Sequence, residues 1–89
     1  MEEAEVVERI RKVTPNAEEI KVEGADCNFT AVIVSPSFEG LNLLKRQQLV
    51  LAGFSDCLAT GELHALTIKA YTQSEWQAFN QSSLTQISL

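Results

Sequence analysis

Eighty-nine residues make one domain, and 45% hydrophobic with 21% charged residues is the composition of an ordinary globular chain. Seven basic against twelve acidic side chains leave a net charge of −5, which argues against the broad basic surface that unaided nucleic-acid binding demands. Two cysteines are too few for a disulfide-stapled secreted mini-protein, and no apolar run approaches the ~18 residues that span a membrane.

The first ten residues, MEEAEVVERI, are acidic and amphipathic, unlike a signal peptide or an Arg-rich transit peptide. The expected setting is a reducing cytoplasm, or an organelle matrix or stroma if a presequence was removed. A Cys27–Cys57 disulfide is not expected there. Residues 2 to 13 read as a helix with Val6, Ile10 and Val13 on one face. Acidic residues open it and Arg9, Arg11 and Lys12 close it, as the helix dipole favours. Thr14-Pro15-Asn16 then stops it.

Residues 19 to 23 and 29 to 34 read as two strands of an antiparallel hairpin. The first alternates Ile20 and Val22 with charges; the second, FTAVIV, is apolar enough to be buried on both faces. Ser35-Pro36-Ser37 breaks the second strand. A helix is expected from about 42 to 52, with Leu44 and Leu51, and Leu41 as a further candidate, set against Lys45, Gln47 and Gln48, followed by a short helix over about 54 to 59 that Gly61 ends. A third strand spans 63 to 71, with His64, Leu66 and Ile68 on one face. Thr72-Gln73-Ser74-Glu75 fits the S/T-x-x-E capping box and opens a last helix containing Trp76 and Phe79. The order is αββααβα. The long helical crossover makes strands two and three parallel, so the expectation is an α+β fold: a mixed three-stranded sheet with helices packed on it, over residues 1–80. Residues 81–89 are expected to be a polar, frayed tail.

Few residues offer chemistry. His64, the only histidine, is either a half-buried imidazole with one satisfied hydrogen bond or a ligand or acid–base group near the sheet rim. Cys27, in the bend of VEGADCNFTAV, is either tucked under the hairpin or a thiolate offered to a soft metal or an iron–sulfur cluster. One cysteine and one histidine make half a coordination sphere, so a metal held by these two needs a partner's ligands. Cys57 reads as core packing. Lys45 and Arg46 read as a solvated helix face or a phosphate or partner contact, and Trp76 with Phe79 as core anchors in preference to a stacking platform. No phosphate loop, CxxC or nucleophile motif in context is present, and so small a domain offers little room for a Cys27–His64 dyad to hold substrate. No enzyme is expected.

Three stretches in order, VEGADCNFTAVIVS, FEGLNLLKRQQLV and ELHALTIKAYTQSEW, resemble the BolA-like family and within it the YrbA/IbaG-type branch. The resemblance covers about residues 4 to 79. It implies a class II KH-like fold, in agreement with the order above. It further implies pairing with a monothiol glutaredoxin and a shared [2Fe–2S] cluster, part of whose ligands the glutaredoxin and glutathione supply. His64 matches the family's histidine at the start of the last strand. Cys27 matches the hairpin-loop position where members carry His or Cys. The expected function is thus an accessory or regulator of iron–sulfur metabolism, a monomer or weak dimer when free of cluster. The alternative is a KH-like nucleic-acid-binding regulator using Lys45, Arg46 and Lys69. For that reading the sequence lacks the GxxG clamp of nucleic-acid-binding KH domains.

Overall fold

A computed structural model describes residues 2–25 and 28–79. The loop residues Asp26 and Cys27 and the expected tail, 81–89, lie outside the described residues. Helix α1 (Glu3–Val13) is followed by strands β1 (Glu19–Ala25) and β2 (Asn28–Val34). A 3₁₀ turn (Pro36–Phe38) leads to α2 (Leu43–Leu51), a second 3₁₀ turn (Ala52–Phe54), α3 (Ser55–Thr60) and strand β3 (Ala65–Tyr71). A final helix, α4, covers 73–79. This is the expected αββααβα order. None of the described helices is long and apolar enough to cross a membrane.

The sheet order is β1-β2-β3, with β1 antiparallel to β2 and β2 parallel to β3. Its core face carries Phe29, Ala31 and Ile33 from β2 and Ala70 from β3, with Ile20, Val22, Leu66 and Ile68 packed beside them. Val6 and Ile10 of α1, one turn apart, close over this face together with Phe38, Val50, Phe54, Cys57 and Leu63. Cys57 is therefore the core residue its surroundings in the sequence suggested. Thr14 ends α1 by folding back: its backbone N–H and its hydroxyl both donate to the Ile10 carbonyl, at 2.9 and 2.7 Å.

Four expectations need correction. Strand β2 is not buried on both faces, since Thr30 and Val32 are only half-buried. α1 and α2 cover the core side of the sheet, and on the other side the Trp76 ring of α4 lies against Tyr71 and near Lys21. Strand β3 begins at Ala65, not Leu63, because the Leu63 amide is drawn to the Cys57 carbonyl at 3.2 Å. In α2 the inward positions are Arg46 and Val50, while Leu43 and Leu44 are 73% and 63% exposed. Asn42 caps the start of α2 through the Lys45 amide, and the buried residues 46, 50 and 54 fall in line at the four-residue spacing of one helix face. Finally, Trp76 and Phe79 are not core anchors. They stack on each other at 5.8 Å and sit 5.3 and 6.0 Å from Tyr71, with Lys21 5.9 Å from the Trp76 ring. Phe79 remains 51% exposed.

Candidate functional site

Positions at the β2 and β3 starts are brought together by the parallel register, in which Asn28 pairs with Ala65 and Phe29 with Leu66. His64 immediately precedes Ala65. Its side chain is exposed, and among the described residues it has no recorded hydrogen bond or ion pair. Its exposure departs from the half-buried histidine that composition allowed. Among the described residues nothing occupies the imidazole. Cys27, the other candidate ligand, precedes Asn28 in the chain and lies outside the described residues.

The turn before His64 is held tightly. Gly61, in the left-handed region at φ 85°, ends α3, and its amide donates to the Cys57 carbonyl at 3.1 Å. The same carbonyl accepts from Leu63, whose side chain is buried in the core. The histidine is thus the first residue beyond a pinned turn and the last before a hydrogen-bonded strand.

The three basic residues expected to share a surface do not. Arg46 is only 8% exposed and faces inward. Its Nε donates to the Leu41 carbonyl at 2.9 Å, and Nη1 donates to the Ala70 carbonyl at 3.1 Å. Both terminal nitrogens bind Glu75, at 2.6 and 3.1 Å. A guanidinium so engaged ties α2 to β3 and α4 and has four of its five N–H donors committed inside the protein, which leaves no fork to offer a phosphate. Lys45 lies exposed on the outer side of α2, whereas Lys69 alternates with the core residues Ile68 and Ala70 and so projects from the opposite face of the sheet.

Glu75 completes the capping box. The Thr72 amide donates to its carboxylate at 2.8 Å, and the Glu75 amide donates to the Thr72 hydroxyl at 3.3 Å. The Arg46 guanidinium, then the Thr72 amide, hold its carboxyl far below the ordinary value of 4.5, at about 2. A carboxylate with a depressed folded pKa contributes stability that is fully present above its unfolded value and lost as pH falls through the folded one. Urea midpoints measured across this range should therefore fall between pH 4.5 and 2 in the parent protein. The Glu75→Gln variant should show a flatter profile there; an identical profile would remove Glu75 from acid sensitivity.

On the far side of α1, Arg9 binds Asp56 through two hydrogen bonds of 3.0 and 3.2 Å and donates to the Gly53 carbonyl at 3.0 Å. The hydrogen bond to Asp56 raises the Arg9 pKa above its ordinary value, and the same bond lowers that of Asp56. Asp56 is exposed and Arg9 half-buried, so solvent screens the pair, which locates α1 against α3 without adding much stability. Burial pushes the Cys57 thiol up.

Comparison with known proteins identifies this architecture. The family model described as BolA-like protein matches residues 2–75. A protein of Haemophilus influenzae is 38% identical over 82 residues, covering 89% of this chain and 96% of its own. The acid stress protein IbaG of Escherichia coli K12 is 36% identical over 70 residues, covering 75% of this chain and 83% of its own. The DNA-binding transcriptional regulator BolA of Vibrio cholerae is 42% identical over 60 residues, or 67% of this chain and 56% of that relative. Among solved structures, a bol-like protein from Babesia bovis superposes with a TM-score of 0.77 at 36% identity, covering 90% of this chain and 94% of that one. With the sheet order, the histidine ahead of β3 and the family model all in agreement, the chain belongs to the BolA-like family.

Proposed function

We propose that this protein is a non-enzymatic accessory of iron–sulfur cluster metabolism that binds a monothiol glutaredoxin and shares a [2Fe–2S] cluster with it through His64 and Cys27. The observation that carries the reading is an exposed His64, without a partner among the described residues, directly ahead of β3, where Ala65 pairs with Asn28, the residue that follows Cys27. Imidazole and thiolate both suit iron, and together they supply too few ligands for a site held by this chain alone. The glutaredoxin and its glutathione would provide the remainder. Histidine ligation raises a cluster's reduction potential relative to all-cysteine ligation, which suits transfer or sensing. The BolA-like family is not a known enzyme family, in keeping with this role. The setting is the cytoplasm, or an organelle matrix or stroma, and the cluster-free chain is a monomer or weak dimer.

Mixing the protein with a cluster-loaded monothiol glutaredoxin should give visible absorbance and circular dichroism distinct from those of the glutaredoxin alone. His64→Ala should abolish the distinct spectrum, and Cys27→Ser should change it more modestly. An unchanged spectrum and no complex by gel filtration would rule the reading out.

The alternative, a nucleic-acid-binding regulator, is favoured by the name of the Vibrio cholerae relative. The net charge of −5 and the internal role of Arg46 count against it. Its test is salt-dependent binding of duplex DNA that weakens in Lys45→Ala or Lys69→Ala. Arg46→Ala is unsuitable as a probe because it alters the fold.

A further inference from the structure

Three donors outside the His64 region converge at the α1–α3 junction. The ligand atoms of Glu5, Cys57 and Glu62 all lie within 4.8 Å of one another. We propose that they form a site for a borderline-soft divalent cation of the zinc class, separate from the cluster ligands.

The donor set determines the class. Magnesium and calcium take oxygen ligands, typically six or more. A thiolate beside two carboxylates selects a softer ion, and three protein ligands with a water in the fourth position is the open tetrahedral arrangement zinc adopts. Zinc–sulfur and zinc–oxygen bond lengths place the donors of such a site about 3.4–3.6 Å apart. Donors within 4.8 Å of one another therefore have at most about 1.4 Å to close, which the long side chain of an exposed glutamate achieves by rotation.

The cluster is more than two surface acids. The Cys57 thiol is 1% exposed and, among the described residues, has no hydrogen-bond partner. It is an unpaired buried group whose sulfur stands beside two carboxylates. Its position is fixed by the core, and the turn carrying Glu62 is tied to the Cys57 carbonyl by the amides of Gly61 and Leu63, on either side of the glutamate. On the other flank, Arg9 is committed to Asp56 and Gly53, and its Nε reaches Glu5 only at 3.6 Å. Glu5 and Glu62 are both exposed, so the two carboxylates can be reached from solvent. On binding, the thiol releases its proton to solvent and the metal–sulfur bond replaces the S–H bond.

Cobalt(II) alone, which reports thiolate ligation by a charge-transfer band, is the probe. Glu62 lies two residues from His64, so the titration is made in Cys27→Ser/His64→Ala, where Cys57 is the only thiol. The expected result is a one-to-one thiolate–cobalt band that zinc displaces. Cys57→Ser should remove it. Glu5→Gln/Glu62→Gln, altering two exposed side chains, should leave the fold intact by circular dichroism and weaken cobalt binding at least about tenfold, the minimum expected when direct ligands are lost. No thiolate band in Cys27→Ser/His64→Ala, or an affinity unchanged by the double glutamine variant, overturns the site. Either result leaves the shared-cluster reading standing, because that reading rests on the two residues already replaced in this background.

Discussion

Glu75→Ala should destabilise the protein by about 3 kcal/mol, because it leaves the Arg46 guanidinium buried without its counter-charge. The Arg46 side chain is 9% exposed and cannot reach water without unpacking α2 from β3, whereas the Glu75 side chain is 46% exposed. The two halves of the pair are therefore unequal. Arg46→Met keeps much of the buried volume and frees Glu75 to be hydrated where it stands. Its main cost is the donors lost to the Leu41 and Ala70 carbonyls, roughly 1–2 kcal/mol in all. Removing the exposed acid should thus be worse than removing the buried base. In a domain of this size 3 kcal/mol lowers the thermal midpoint by roughly 12–24 °C, so calorimetry of the two variants separates them. Equal losses, or a larger one for Arg46→Met, would mean that Arg46 acts mainly through its carbonyl contacts. Glu75→Ala also dissolves the capping box, so α4 should fray and the Trp76–Phe79 stack should loosen. Quenching of Trp76 fluorescence reports this independently of global stability.

The same residues explain what could be read in the chain and what could not. The capping box around Glu75 was legible because both partners fall within four residues. Its second bond, to Arg46, spans 29 residues and leaves no local trace. Arg46 was misjudged because the leucines of LNLLKRQQLVL permit two helical phases. The one that buries Leu44 looks better by hydropathy, yet the bonds of Arg46 to Ala70 and Glu75 and the packing of Val50 and Phe54 in the core hold the other. The element order and the approach of His64 to the β2 start needed only strand patterning and the rule that a helical crossover joins parallel strands. The Glu5–Cys57–Glu62 cluster is a tertiary product: α1 and the turn after α3 are 57 positions apart at their acidic residues, with no spacing motif to join them.

Gly24→Ala should be comparably damaging, at about 3 kcal/mol, and should reach the candidate ligands as well. Gly24 has φ 143°, a conformation side-chain-bearing residues rarely adopt, and it pairs with Phe29 across the hairpin. A Cβ there would lie 2.3 Å from the Asn28 carbonyl oxygen and 2.8 Å from the Phe29 Cα. Backbone strain of this kind costs on the order of 1–3 kcal/mol. The obstructing atoms are main chain and cannot swing aside, so β1 has to move away from β2 at this end. Gly61 provides the control: its φ is also positive, but an added Cβ would meet nothing within 4 Å, so Gly61→Ala should cost only about 1–2 kcal/mol. The displaced end of β2 is the one that pairs with Ala65 beside His64. On the proposed function, Gly24→Ala should accordingly weaken cluster sharing with a glutaredoxin even at temperatures where the variant is fully folded, while Gly61→Ala, if only less stable, should share the cluster normally below its own midpoint. Urea unfolding and the cluster's visible circular dichroism, measured on both variants, decide the matter. Loss of sharing in neither would show that the hairpin end yields without disturbing the site, and a stability loss below about 1 kcal/mol for Gly24→Ala would show that the close backbone approach is easily relaxed.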